Sequence, residues 1–173
     1  MMIHLASKNS QSSLSEFEPN QVQPNAIDLK IDKIYEIHSN VFEIDEESKK
    51  HRGSVELFPD KDGYWNLRQG SYEVIFEGIV DIGPDEAGWV ITRSTFNRNG
   101  VFFTSGLYDS GYKGVMAGCM HIMIGVPAGA SEVRRTRIKK GTRAGQFLLF
   151  KAESLNLYDG DYGVGKEHDK KYG

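Results

Sequence analysis

The chain has 173 residues, enough to bury a core as one domain, with the 39% hydrophobic and 11% aromatic content of an ordinary globular protein. A net charge of −3 excludes a global basic field for nucleic acid or an anionic membrane. The single cysteine, Cys119, excludes an internal disulfide framework, and no Cys/His spacing resembles a zinc site.

Nineteen glycines and five prolines require many turns, hence a β-rich fold. Met1 opens no charged-then-apolar leader, and no apolar run approaches the roughly 18 residues of a membrane span. The expectation is a soluble protein of the reducing cytoplasm. Residues 1–20 are polar after a short apolar start and read as a loosely held N-terminal arm, with one helical turn over Ser13–Phe17. Ile27, Leu29 and Ile31 then alternate with Asp28, Lys30 and Asp32, a strand with one apolar face, preceded by Pro24 where a strand tolerates it. Asp28 faces away from the apolar side, most commonly the position of a solvated carboxylate.

Residues 39–63 are the most charged stretch and read as an exposed loop or hairpin tip without chemistry. Strands follow over Trp65–Leu67 and Tyr72–Phe76, then a turn over Gly83–Glu86 and a strand over Gly88–Thr92. Thr92–Gly100 makes a short helix or turn. Arg93 and Arg98, with the hydroxyls of Ser94 and Thr95 between them, offer forks suited to phosphate oxygens or are two solvated arginines.

Val101–Gly114, with the apolar run from Val115 to Val126, has the signature of a hairpin. Its bend carries Asp109, which a hydrogen-bonded frame can hold as a general base or which simply makes the turn with Ser110. Gly106 and Gly111 lack Cβ, so backbone there can approach a flat ligand. Val126–Gly129 is a turn, and the basic run Arg134–Lys140 reads as a solvated edge strand and turn, since no aromatic platform is interleaved with it. Gln146 either donates its amide to a phosphate or caps a turn at the head of the closing strand Phe147–Phe150. The tail from Tyr158 is polar, aromatic and glycine-rich: a phosphate-wrapping segment with a lysine as point charge, or a frayed terminus.

Taken in order, Gln21–Leu29, Thr92–Thr95 with Arg98 and Gly100, Asp109–Gly114, Gly141–Gln146 and the Gly/Tyr tail resemble the motifs of the dUTPase/dCTP deaminase superfamily, from about Ser15 onward and excluding the charged insert. The Gln-Pro start and tyrosine-rich tail are closer to the dCTP deaminase branch. The resemblance implies a mainly β fold, a distorted β-barrel or jelly-roll-like domain with little helix over 21–157, an insert at about 39–63, and a flexible lid over 158–173. It also implies a homotrimer with active sites between subunits. Asp28 would lie near Mg²⁺ through a metal-bound water; Arg93, Ser94, Arg98 and Gln146 would hold phosphates or position the substrate. Asp109 would activate water, Tyr112 would lie against the deoxyribose, and hairpin backbone including Gly106 would read the base. Tyr162 and Lys166 are the expected lid contacts, with Lys171-Tyr172 as the alternative pair.

The deaminases of this family carry a proton-shuttling glutamate ten residues after that aspartate; here the position is Cys119. The resemblance therefore implies dUTP diphosphatase activity. The alternatives are a dCTP deaminase or bifunctional enzyme, with His121 two residues beyond Cys119 doing the acid–base work, and a non-catalytic nucleotide-binding regulatory module using residues 39–63 as its partner surface.

Overall fold

The computed structural model describes residues 1–123 and 135–172. The strands are β1 (Met2–Ile3), β2 (Ser13–Leu14), β3 (Ile27–Ile37), β4 (Glu43–Ile44), β5 (Lys49–Lys50), β6 (Ser54–Leu57) and β7 (Tyr64–Leu67). They continue as β8 (Gly70–Asp81), β9 (Glu86–Thr92), β10 (Val101–Thr104), β11 (Lys113–Ile122), β12 (Thr136–Lys139) and β13 (Arg143–Lys151). One short helix, α1 (Ser94–Arg98), lies between β9 and β10, and 3₁₀ turns occupy Pro19–Gln21 and Glu167–Tyr172. The expected turn at Val126–Gly129 and the start of the basic run at Arg134 lie outside the described residues; β12 pairs with β7 where the rest of that run was expected to form an edge strand.

The fold is mainly β, and among the described residues every strand pairing is antiparallel. Nine strands join in the order β1-β13-β3-β8-β11-β10, with β2 and β6 added to β8 and β3, and β9 to β13. Among the described residues that path ends at β1 and β10, so the expected barrel is distorted and open. Trp65, Phe76 and Phe147 are the largest fully buried side chains of the core, and Met116 and Met120 are fully buried with them. On β3 the apolar face runs Ile27, Leu29, Ile31, then shifts to Ile34, because the register against β8 slips between Ile31 and Lys33. One extra residue in a strand reverses the inward parity beyond it.

The first 20 residues are held more firmly than their composition suggests. Ser13–Leu14 is a strand on β8, not a helical turn, and Leu5, Ser12 and Leu14 are buried. The Glu86 carboxylate holds this arm: it accepts from Gln11 N at 3.0 Å, Ser12 N at 2.9 Å and Ser12 Oγ at 2.6 Å. The charged insert is a hairpin as expected at β4–β5, but its second half, β6, joins the main sheet beside β3. No described helix is long and apolar enough to cross a membrane.

Candidate active site

Asp28 is the second residue of β3, and it has no exposed surface. The solvated-carboxylate reading fails because β13 lies directly across from it, with Gln146 opposite Asp28. Gln146 Nε2 donates to Asp28 Oδ1 at 3.1 Å. Two guanidiniums face Oδ2: Arg93 Nε at 3.1 Å and Arg143 Nη1 at 3.4 Å. Oδ2 nonetheless has no hydrogen-bond partner, because neither N–H points squarely at it. Arg93 is fixed twice more, its Nη1 donating to Arg143 O at 2.7 Å and its backbone N to Ala144 O at 3.0 Å.

Arg143 and Gln146 stand an odd number of residues apart, which on a regular strand puts them on opposite faces. The register of β13 against β3 shifts between Arg143 and Gly145, and that bulge turns both toward Asp28. Arg143 received no role from the sequence. Its signal was available only in the motif Gly141–Gln146, since a bulge is not legible in periodicity. Ser94 and Arg98 are exposed on α1, beside but outside this cluster. The charge count is one carboxylate against two guanidiniums, each about a third exposed. The excess positive charge and planar donor forks suit a phosphate.

The hairpin is β10 paired with β11, and its bend carries Asp109 with the carboxylate exposed. Both neighbours of Asp109 are pinned. Tyr108 exchanges two 2.8 Å backbone bonds with Gly88, and Ser110 Oγ donates to Glu86 O at 2.6 Å. Asp109 lines a groove of about 540 Å³ with Leu107, Ser110 and residues 152–159. Arg93 lies five positions beyond Gly88 and just past the end of β9, about 17 Å along an extended strand, so the Asp109 bend and the Asp28 cluster lie towards opposite ends of β9 within one chain.

Beside the bend is a cavity of about 330 Å³ lined by Gly106, Tyr108, Tyr112 and Gly118 on the hairpin side, Glu73 on β8, and the tail. Tyr112 is buried, donating to Val115 O at 2.8 Å, with its ring against Tyr108 and Tyr158. Burial pushes the Tyr108 and Tyr112 hydroxyls far above the usual phenol range, so both remain neutral donors. A Cβ on Gly106 would meet nothing, whereas one on Gly111 would press on Leu157 at 3.1 Å. The second of the two glycines expected to admit a ligand therefore seats this chain's own tail.

Burial also pushes the Cys119 thiol up, leaving it protonated near neutral pH. His121 lies on the same face, its Nδ1 4.0 Å from Cys119 Sγ and 2.9 Å from Ser71 Oγ. Directly across from Cys119 on β8 is Glu73, a carboxylate the sequence reading passed over. Burial pushes its carboxyl up, but hydrogen bonds from Tyr172 and Lys171 outweigh burial and hold it below the usual range. Lys171 Nζ lies 2.9 Å from Glu73 Oε1, and the Tyr172 hydroxyl donates to the same oxygen.

Of the expected lid contacts, Tyr162 lines the cavity and packs edge-on against His168, with ring centroids 4.5 Å apart. Lys166 lies in the adjoining groove with His51 and residues 159–162, its Nζ 3.9 Å from Asp159. The alternative pair, Lys171-Tyr172, is the one tied into the cavity through Glu73.

Residues 2–152 match the family model described as dCTP deaminase-like. The chain is 30% identical over 145 residues to a probable deoxyuridine 5′-triphosphate nucleotidohydrolase of Methanosarcina mazei, covering 83% of this chain and 80% of that one. It is 27% identical over 147 residues to a protein of the same description from Halobacterium salinarum, covering 82% of each. Among solved structures, dCTP deaminase from Agrobacterium tumefaciens superposes with a TM-score of 0.57 at 16% identity, covering 82% of this chain and 42% of that one. A dUTPase of Staphylococcus bacteriophage 80alpha superposes with a TM-score of 0.52 at 14% identity, covering 94% of each. At such identities the structural likeness concerns the fold.

Proposed function

The chain belongs to the dCTP deaminase-like family, and from that membership we propose that it is a dUTP diphosphatase releasing dUMP and diphosphate. The observation that carries the reading is the Asp28 cluster: two guanidiniums fixed around one buried carboxylate, with a positive charge in excess where the family's motifs expect a triphosphate. Relatives described as deoxyuridine triphosphate nucleotidohydrolases support the choice of substrate.

In this reading Asp109 takes a proton from water as the oxygen attacks the α-phosphorus, and the bond to the bridging oxygen of the departing diphosphate breaks. The pinned neighbours, Tyr108 and Ser110, hold the carboxylate in place without using its lone pairs. Arg93, Arg98 and Gln146 hold phosphate oxygens and stabilise the charge that develops on them. Hairpin backbone near Gly106 pairs with uracil N3–H and O4, leaving polar groups unmatched against cytosine. Tyr112 backs the deoxyribose, and Tyr162 and Lys166 contact the phosphates from the C-terminal segment. A separation of about 17 Å along the strand between Gly88, paired beside the Asp109 bend, and Arg93 supports an assembly in which one subunit's cluster serves another subunit's bend, in this reading a homotrimer. A reducing cytoplasm is the proposed compartment.

Magnesium fits as an ion carried by phosphate and water. Among the described residues no three His, Cys, Asp or Glu side chains gather into a metal cage. Asp28 Oδ2, buried and without a hydrogen-bond partner, retains the acceptor capacity that a metal-bound water needs. When bound, magnesium neutralises triphosphate charge.

Deamination of dCTP is the second reading, favoured by the carboxylate of Glu73 facing Cys119 across the sheet. It is the weaker one because Glu73 is committed to Lys171 and Tyr172, and the Cys119 thiol is a poor proton carrier. A single assay separates them. Purified protein with Mg²⁺ converts dUTP to dUMP and diphosphate, Asp109→Asn lowers kcat by about 10³-fold with little change in affinity, and dCTP yields no ammonia. Full turnover by Asp109→Asn removes that residue as base, and ammonia from dCTP overturns the choice of reaction.

A further inference from the structure

We propose that Ser154 is a positioning residue for the bend that carries Asp109, acting through Ser110. Its effect on turnover rests on the diphosphatase reading; its effect on the order of the bend does not.

Asp109 and Tyr112 close a turn, with Tyr112 N donating to Asp109 O at 3.0 Å and Gly111 in third place at φ 82°. The Asp109 carboxylate is exposed, so its direction is set by the backbone on either side. Tyr108 before it is held by the paired bonds to Gly88. After it stands Ser110, second in the turn and 3% exposed. A proline at that position would fix φ covalently. Serine leaves the torsion free, and here hydrogen bonds supply the constraint.

Ser110 Oγ takes part in two of them, one to Glu86 O at 2.6 Å and one with Ser154 Oγ at 2.6 Å. A hydroxyl has one proton, and a carbonyl can only accept. The Ser110 proton therefore goes to Glu86 O, and Ser154 is the donor in the pair of hydroxyls. One bond alone lets the Ser110 side chain pivot about the Glu86 carbonyl. Two bonds, one given and one received, select a single staggered rotamer, and with it the path of the backbone leaving Asp109.

Ser154 is 44 positions from Ser110 and is brought there by strand register. The last residue of β13, Lys151, pairs with the first of β9, Glu86. Beyond that pair Ala152 N donates to Asp85 O at 2.9 Å, and Asp85 itself turns at φ 55°, which carries the chain past the end of β9 to the Ser110 hydroxyl. Ser154 lines the same groove as Asp109. Its hydroxyl proton is committed to Ser110, so it acts on the base through the turn and not on the ligand.

Ser154→Ala removes the donor and Ser154→Thr keeps it. In the protein without nucleotide, amide exchange at Tyr112, whose N–H closes the turn, is expected to be about fivefold faster in Ser154→Ala and to return towards the wild-type rate in Ser154→Thr. Unchanged exchange in Ser154→Ala overturns the proposal, whatever the activity. With dUTP and Mg²⁺, Ser154→Ala lowers kcat about fivefold at nearly unchanged KM, and Ser154→Thr recovers most of the loss. Because Ser154 works through Ser110, the loss in the double variant Ser110→Ala/Ser154→Ala should equal that in Ser110→Ala alone. A further loss of about fivefold in the double variant, or a raised KM in place of a lowered kcat, makes Ser154 a ligand contact and overturns its positioning role. A wild-type protein without dUTP turnover sinks the diphosphatase reading and leaves the exchange result to decide whether Ser154 orders the bend.

Discussion

Asp28 and Glu86 are both carboxylates without exposed surface, and β13 serves both, bringing Arg143 and Gln146 to the first and Lys151 to the second. Around Glu86 the account closes. Lys151 Nζ lies 2.6 Å away, and the backbone N–H groups of Gln11 and Ser12 with the hydroxyl of Ser12 fill the remaining lone pairs. One negative charge meets one positive charge, and the result is a seam that ties the N-terminal arm to the sheet. Around Asp28 it does not close: one oxygen has no hydrogen-bond partner and two guanidiniums face one carboxylate. A saturated buried charge serves the fold, while an unsaturated one with surplus opposite charge is left ready for a ligand.

The contrast is broken most severely at Glu86. Glu86→Ala strands the arm's N–H groups and is expected to cost about 3 kcal/mol, lowering Tm by roughly 6–12 °C for a domain of this size, with turnover per folded molecule nearly unchanged. A loss of turnover at unaltered Tm in calorimetry would invert the assignment of the two carboxylates. Arg93→Ala should do the reverse, lowering dUTP kcat/KM about 100-fold, or about 2.7 kcal/mol, with a smaller change in the urea midpoint because the guanidinium is partly solvated already.

Binding gives a gentler test. Inorganic diphosphate at about 100 times its Kd adds about 2.7 kcal/mol, a rise in Tm of roughly 5–10 °C, expected in the wild type and in Lys151→Ala but lost in Arg93→Ala. An equal rise in all three would detach the anion from the Asp28 cluster. The smallest effect is the pH dependence of the seam. Burial pushes the Glu86 carboxyl up, but its hydrogen bonds from Lys151, Ser12 and Gln11 prevail and set the folded pKa below the ordinary 4.5. The unfolded chain therefore binds the proton more tightly, so the contribution is fully present above about pH 4.5 and is lost as pH falls through the lower folded value. Urea midpoints between pH 3 and 6 should fall less steeply with acid in Glu86→Gln than in the wild type.

Much of the sheet was legible in advance. The Ile27–Ile31 alternation, the hairpin about Asp109, the short element at Thr92–Gly100 and the closing strand at Phe147–Phe150 are local patterns and became β3, β10–β11, α1 and β13. The arm was misjudged because its polar serines and glutamine are poor core residues by composition, and only Glu86, more than 70 positions away, gives their N–H and O–H groups partners. Arg143 was missed since its orientation depends on a bulge. Glu73 was missed because a lone glutamate in a strand pattern says nothing until Cys119, Lys171 and Tyr172 are seen around it.

By itself the sequence determined the β class, the positions of the main strands and the order of motifs that marks the family, because alternation, turn residues and motif spacing are written within a few residues of one another. The tertiary structure alone decided that Asp28 is buried between two arginines, that Gly114 faces Gly163, and that the chain's last tyrosine reaches Glu73. Those outcomes depend on strand register, bulges and backbone approaches between distant segments, where a shift of one residue reverses which way a side chain points.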